Sequence, residues 1–419
     1  MSASPIHRLT LENGITLLVV ENTAVELVAG RIFLKNAGTR WEKTEKAGLF
    51  RLLAVLLTKG TEKLSSLEIA DRVESTGASL SADTGTDYFV VSLKTVTKDF
   101  LDILRLAAEI IRFPSFPPPE IELEKNLTRQ SIRSQLEQPF NVAFNQLRAA
   151  MYPDHPYGMS LLGTEATVSQ LQREELLAYH SRFFRPDNLV ISLSGRITLE
   201  QAVKAVTEIF GSWSIPDIPL SSLPPAAFDF QPTCVTTVQA SQQAIVMLGY
   251  PGSSVQEDDY AVLKLLSTYL GNGLSSRLFV ELREKRGLAY DVSAFYPTRL
   301  DSSQFVIYMG TAPQNTAIAV SGLRQEAERL YKVTLSEEEL QSAKNKLLGQ
   351  YALGKQTNSE IAQLYGWYES LGLGIEFDRT FPDSINQITP EQARSVASKY
   401  FQNPYISLVG PENAIAEIL

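Results

Sequence analysis

The 419-residue sequence is poor in the residues that build disulfides and metal sites, with one cysteine, Cys234, and three histidines, His7, His155 and His180. A single cysteine excludes a framework of internal disulfide bonds and favours a reducing compartment, so we expect a cytoplasmic protein. The histidines are scattered and do not have the spacing of metal ligands. No stretch has the uninterrupted apolar length of a membrane span, and the first residues lack the apolar core of a signal peptide.

Basic residues are fewer than acidic ones: the sequence has 38 Lys and Arg and 47 Asp and Glu, which gives a formal net charge of −9. The negative net charge argues against a general nucleic-acid binder, because the affinity of such proteins depends on contacts of Lys and Arg with phosphates. Hydrophobic residues make up 44% of the chain and charged residues 20%. The length and this composition predict two or more domains with sizeable cores.

Two stretches of the sequence recur. VAGRIFLKNAG at 28–38 resembles QQAIVMLGYPG at 242–252, and RPDNLVISLSG at 185–195 resembles QNPYISLVGPE at 402–412. Equivalent glycines of the two pairs are separated by 214 and 215 residues. Because both motifs keep nearly the same offset, the chain is predicted to be a duplicated α+β domain.

The predicted domains are 1–213 and 234–419, joined by a linker at 214–233. The linker sequence, SIPDIPLSSLPPAAFDFQPT, contains five prolines and has no hydrophobic periodicity. Such a composition is typical of an exposed, semi-rigid connection between domains.

GLFRLLAVLLTKGT at 48–61 predicts a buried helix that ends in a tight turn. Its core face is formed by four leucines: Leu49, Leu52, Leu53 and Leu56. Arg51, Ala54 and Val55 lie at i, i+3 and i+4, the spacing by which a helix presents side chains to one metal ion. None of these three residues can bind a metal.

The sequence resembles the pitrilysin and mitochondrial-processing-peptidase family of inverted-motif zinc metallopeptidases, specifically its short, two-domain members. The motifs that carry the resemblance, in chain order, are NGITLLVVEN, AGLFRLLAVLLTKGT, DHPYGMSLLGTEATV, FFRPDNLVISLSG, LGNGLSSRLFVELREKRGLAYDVSA and YFQNPYISLVGPE. They extend over nearly the whole chain. The resemblance implies two homologous α+β domains, each a mainly antiparallel sheet with helices packed on one side, which together form half of a clam-shell chamber.

The resemblance places the family's H-x-x-E-H motif on residues 51–55. In active members its histidines bind zinc and its glutamate is the general base; here the three positions hold Arg51, Ala54 and Val55. The fourth zinc ligand, a glutamate of a later helix, falls on Ser131, and an upstream glutamate of that helix is retained as Glu124.

The chemistry of these replacements does not suit zinc. A guanidinium has no free lone pair, alanine and valine have no donor atoms, and a serine hydroxyl is a poor substitute for a carboxylate. We therefore expect the chain by itself to hold no zinc and to hydrolyse no peptide. For Arg51 two alternatives stay open: an ion pair with Glu124, or a solvated side chain facing the chamber.

In the second half, the sequence predicts a helix over 275–286, closed by Gly287 and followed by a strand over 288–296. The family's R-x6-Y pattern falls on Arg283 and Tyr290. In active members these residues hold the substrate and its polarised carbonyl opposite the zinc, as suits a guanidinium and a phenol hydroxyl. Without the resemblance, Arg283 would be one charge on a solvated helix face and Tyr290 a half-buried strand aromatic.

We therefore expect a catalytically silent subunit of a heterodimeric zinc peptidase. The expected partner is a homologous subunit with an intact H-x-x-E-H motif, which supplies the zinc. This chain would close the chamber, bind unfolded peptide substrates and contribute Arg283 and Tyr290 in trans, with no nucleic-acid or membrane partner. Two alternatives stay open: a structural subunit, like the peptidase-derived core subunits of respiratory complexes, and a homodimeric peptide-binding protein without a catalytic partner.

Overall fold

The computed structural model of the protein describes residues 5–220, 222–223, 226 and 228–416. The first half of the chain forms β1 (Ile6–Thr10), β2 (Thr16–Glu21), β3 (Leu27–Leu34), α1 (Leu49–Leu56), α2 (Ser66–Glu74), β4 (Ser79–Thr84), β5 (Phe89–Val96), α3 (Phe100–Arg112), α4 (Pro118–Leu136), α5 (Pro139–Met151), α6 (Glu165–Gln170), α7 (Arg173–Phe183), β6 (Leu189–Gly195) and α8 (Leu199–Phe210).

The second half begins with β7 (Cys234–Val238), β8 (Ala244–Gly252) and α9 (Asp259–Gly271). After a π-helical segment (Phe279–Lys285) it continues with β9 (Ala289–Phe295), β10 (Ser303–Thr311), α10 (Thr316–Lys332), α11 (Glu337–Leu353), α12 (Asn358–Ser370), α13 (Phe377–Gln387), α14 (Pro390–Tyr400), β11 (Tyr405–Gly410) and α15 (Glu412–Ala416). The described residues of the predicted linker at 214–233 form no helix or strand.

The five strands of the second sheet repeat the order of five of the six strands in the first sheet, in which β1 is additional. The first sheet has the strand order β1-β2-β6-β3-β5-β4, and the second has the order β7-β11-β8-β10-β9. In each sheet the pairing is antiparallel except at one position, where β2 runs parallel to β6 and β7 runs parallel to β11. The predicted duplication and the mainly antiparallel α+β fold are confirmed.

The first compact unit consists of Met1–Ile132, Ser160–Pro224 and Ala352–Asp378. Because side chains alternate along a strand, Ile32 and Leu34 of β3 join the core beneath α1, α3 and α8, while Phe33 points to the other face. There Phe33 meets Tyr365 and Trp367 of α12. The expectation that helices pack on one side of the sheet is therefore corrected: α12 covers the second face, because the strands are apolar on both faces.

The second compact unit consists of Arg133–Met159, Pro225–Tyr351 and Arg379–Leu419. On one face of its sheet, Met247 of β8 packs with Leu147 of α5. Helices α9, α10 and α14 contact the same sheet without belonging to that cluster. Each unit thus receives one helix from the other half of the sequence, an exchange that the contiguous division at 213 and 234 did not anticipate.

Local hydrogen bonds fix the start of α2. The hydroxyl of Ser65 accepts a hydrogen bond from the backbone N–H of Glu68, and the Glu68 carboxylate accepts one from the backbone N–H of Ser65, forming a capping box at the start of α2. No helix in the described part of the chain is long and apolar enough to cross a membrane.

Candidate functional site

Helix α1 carries the positions at which the family's zinc motif was expected. Its leucine face is buried in the core of the first unit, as predicted. The helix begins after Gly48, whose φ of 94° lies in the left-handed region. A Cβ at Gly48 would lie 2.6 Å from the carbonyl oxygen of Leu162, so this position requires glycine on two grounds.

The buried side chain of Glu42 caps the start of α1. The backbone N–H of Gly48 donates to Oε2 at 3.0 Å, and that of Phe50 donates to Oε1 at 2.6 Å. Loss of hydration on burial raises the pKa of Glu42 to about 8, against the opposing effect of these two backbone donors. Glu42 therefore fixes the helix end from a position where its own charge is disfavoured.

The residues at the expected zinc positions occupy three different environments. Ala54 lies in the core with 1% of its surface exposed, and Val55 packs at the edge of the same core. Ser131 is exposed on α4, where its hydroxyl donates to the carbonyl of Leu127 at 3.0 Å. Arg51 extends from α1 towards the edge strand of the sheet.

Arg51 forms an ion pair that the sequence did not indicate. Its Nη1 lies 2.8 Å from Oδ1 of Asp83 on β4. Glu124 instead meets Lys59, with Nζ and Oε1 2.9 Å apart. Of the two alternatives for Arg51, the pair with Glu124 is therefore wrong, because Lys59 follows the end of α1 and reaches Glu124, whereas Arg51 lies about two helical turns earlier.

These positions do not fit a zinc ion. A guanidinium, two aliphatic side chains and a hydroxyl that already bonds its own helix offer no set of three or four nitrogen, sulfur or carboxylate donors. Within the described part of the chain, no group of three or more His, Cys, Asp or Glu side chains could hold a metal ion.

In the second unit, Arg283 lies in the π-helical segment rather than in the regular helix predicted over 275–286. Its guanidinium carbon lies 4.9 Å from the centroid of the Phe279 ring, and the side chain is exposed. Gly287, two residues after the end of the segment, has a φ of 62°, and its N–H donates to the carbonyl of Arg283 at 3.1 Å. π-Helical turns of this kind occur often at functional sites.

Tyr290 lies at a β-bulge on the edge strand β9. Ala289 pairs with Thr311 and Asp291 pairs with Gly310, so Tyr290 is the extra residue of the strand. The bulge interrupts the alternation of the strand and leaves Tyr290 61% exposed. Its alternative interpretation as a half-buried strand aromatic is therefore wrong.

Arg283 and Tyr290 thus lie on two consecutive elements joined by a short turn, and both side chains are exposed. A guanidinium and a phenol hydroxyl can both donate to an oxygen that gains negative charge. Arg283 and Tyr290 therefore offer hydrogen-bond donors to a ligand at this part of the second unit.

Sequence reasoning missed Glu42 and Asp83. Glu42 lies six residues before Gly48, the residue at the start of α1 that it caps. The usual capping residues are Ser, Thr, Asp or Asn next to the helix. Asp83 meets Arg51 across 32 residues of sequence, a distance at which no local pattern predicts a pair. The bulge at Tyr290 likewise had no turn residue to mark it.

Two family models match the chain. Residues 19–165 match the model described as insulinase (peptidase family M16), and residues 170–347 match the model described as peptidase M16 inactive domain. Together they extend over both halves of the duplication.

Similar proteins match over nearly their whole length. The uncharacterized zinc protease YmxG of Bacillus subtilis is 27% identical over 97% of this chain and 98% of its own, and an uncharacterized zinc protease of Mycobacterium leprae is 28% identical over 97% and 92%. The crystal structure of a peptidase M16 inactive domain from Pseudomonas fluorescens superposes with a TM-score of 0.90 at 24% identity, covering 97% of this chain and 98% of that one. A protease from Helicobacter pylori gives a TM-score of 0.90 at 21% identity, covering 98% and 100%. These structural similarities show the fold alone.

Proposed function

The chain belongs to the peptidase M16 family, and the positions of the family's zinc ligands hold no metal-ligating side chains. We therefore propose that it is the noncatalytic subunit of a heterodimeric zinc peptidase. Its partner would be a homologous subunit with an intact H-x-x-E-H motif, which holds the zinc. This chain would close the chamber and bind unfolded peptide substrates. A cytoplasmic location, which the single cysteine favours, is part of the proposal.

The observation that carries the proposal is the contrast between the two units. In the first, the metal-ligand positions hold Arg51, Ala54, Val55 and Ser131, and Arg51 is engaged by a carboxylate. In the second, Arg283 and Tyr290 keep the family spacing and have exposed side chains. Their exposure leaves the guanidinium and the phenol hydroxyl able to contact a bound peptide.

In this proposal Arg283 and Tyr290 act on the peptide rather than on the metal. The guanidinium and the phenol hydroxyl would donate to a carbonyl oxygen of the bound peptide, orienting it and stabilising the negative charge that develops on it. Activation of water belongs to the partner's zinc site. Neither residue needs to change its protonation state for this role.

The test is purification of the full-length protein from its native cells, followed by mass identification of its companion, metal analysis and a peptidase assay. We expect a companion of the same family with H-x-x-E-H, zinc in the complex, and peptide hydrolysis by the complex that exceeds that of the companion alone. The isolated chain should hydrolyse no peptide.

Three results would contradict the proposal. The first is about one zinc per isolated chain that survives mild chelation. The second is a stable homodimer with peptide affinity and no catalytic companion, which would favour a homodimeric peptide-binding protein. The third is a complex without peptidase activity, which would favour a structural subunit.

A further inference from the structure

A cavity with a volume of about 360 Å³ opens in the first unit between the starts of α3 and α8. Its residues do not belong to α1, α4 or β4, so it is distinct from the degenerate zinc positions. The volume falls in the range of small-molecule sites, roughly 300–1,000 Å³. Its apolar lining consists mainly of buried side chains: Val28, Phe100, Ile197 and Ala205.

Three cations line the cavity: Lys98, Arg196 and Lys204. Arg196 pairs with Glu26, and Lys98 lies 4.0 Å from the carboxylate of its neighbour Asp99. For Lys204 no ion pair is found within residues 5–220, 222–223, 226 and 228–416, and its side chain is exposed. Lys204 is therefore a cation at the cavity that is available to an anion.

The carboxylate that lines the cavity does not neutralise Lys204. Glu208 accepts a hydrogen bond from Arg105, with Oε1 and Nη2 2.7 Å apart. Among the described residues, Lys204 therefore keeps an unpaired positive charge at the cavity, on a chain whose net charge is −9.

We propose that this cavity binds a small amphipathic carboxylate, that is, an apolar chain or side chain that carries one carboxylate group. The apolar part would lie against Phe100 and Ile197, and the carboxylate would meet Lys204. Two sources supply this chemistry: a free fatty acid, or the C-terminal residue of a peptide with an apolar side chain.

The test is calorimetric titration of the full-length protein with two carboxylates, octanoate and N-acetyl-alanyl-leucine, and with the matching amides. We expect at least one carboxylate to bind with a Kd in the millimolar range or below, and its amide to bind about tenfold more weakly, because the amide loses the charge-assisted contacts. Binding of octanoate alone identifies a free acid as the ligand type, and binding of the peptide alone identifies a C-terminus; either supports the proposal.

Two substitutions locate the binding in this cavity. Lys204→Gln should weaken the carboxylate about fivefold, as expected for one exposed charge pair, whereas Lys94→Gln, which makes the same charge change at an exposed position of β5, should leave the Kd unchanged. Ala205→Phe should abolish binding by filling the cavity. The proposal is overturned if neither carboxylate binds at millimolar concentration, if acid and amide bind equally, or if Lys204→Gln binds like the wild type.

Discussion

Arg51 of α1 and Asp83 of β4 form an ion pair, with Nη1 and Oδ1 2.8 Å apart, on the helix that carries the zinc motif in active members of the family. The side chains are 37% and 68% exposed, so solvent screens the pair and its contribution to stability is about 0–1 kcal/mol. The fold therefore does not depend on Arg51, and this position can be changed without loss of structure.

The first prediction is that zinc ligands can be restored. The variant Arg51→His, Val55→His, Ser131→Glu should hold about one zinc per chain, because histidines at i and i+4 on one helix with one carboxylate form a three-ligand site. Metal analysis after mild chelation measures this. A matched variant with Gln130→Glu in place of Ser131→Glu should hold less zinc. Equal zinc in both variants would mean that Ser131 is not the position of the fourth family ligand.

The second prediction concerns the contact between α12 and the first sheet. A Cβ at Gly366 would lie 2.5 Å from Cε2 and 2.7 Å from Cδ2 of Phe33, whose fully buried ring has no room to move. Gly366→Ala should therefore lower the free energy of unfolding by about 1–3 kcal/mol, measured as a lower midpoint of thermal unfolding.

Gly349 of α11 is the matched control for this prediction. A Cβ there would meet nothing within 4 Å. Gly349→Ala should raise the unfolding midpoint, since alanine is favoured over glycine in a helix interior by about 1 kcal/mol. If Gly366→Ala also raised the midpoint, the close packing of α12 on β3 would be contradicted.

How far the fold follows from the sequence depends on the range of each interaction. The buried leucine face of α1 was predicted because its periodicity is local. The duplication of the α+β domain followed from two motifs that recur at nearly the same offset, whereas the mainly antiparallel sheets were implied by the family resemblance. The placement of α12 and the ion pair of Arg51 with Asp83 could not be predicted, since each joins residues far apart in sequence whose patterns fit several partners.

The third prediction concerns pH. Burial raises the pKa of Glu42 from its ordinary value of 4.5 to about 8, so the folded chain binds this proton more tightly than the unfolded chain does. The resulting stabilisation is fully present below pH 4.5 and is lost as the pH rises through 8. The slope is at most about 1.4 kcal/mol for each pH unit.

Glu42→Gln should remove this slope, because the amide does not titrate. Denaturant unfolding at a series of pH values between 5 and 8 measures the difference between the wild type and the variant. Glu45→Gln, at an exposed position nearby, should keep the wild-type slope. Parallel profiles for the wild type and Glu42→Gln would show that Glu42 is ionised in the folded protein across this range.

The last prediction tests the role in trans. In the complex with the catalytic homologue, Tyr290→Phe should lower kcat on the order of 100- to 1000-fold, the usual cost of losing one donor to a developing oxyanion. Arg283→Lys should also lower kcat, because lysine keeps the charge but not the planar fork of donors. Both side chains are exposed, so we expect assembly and KM to change much less than kcat.

Tyr331→Phe is the control for Tyr290→Phe, since it deletes the same hydroxyl from α10, outside the bulge. It should leave kcat unchanged. The comparison separates a general effect of losing a phenol hydroxyl from an effect on the reacting peptide. If the double variant Arg283→Lys, Tyr290→Phe assembles normally and the complex cleaves peptides at the wild-type rate, neither residue acts on the substrate. The second unit would then serve the complex through its surface alone, as a scaffold does.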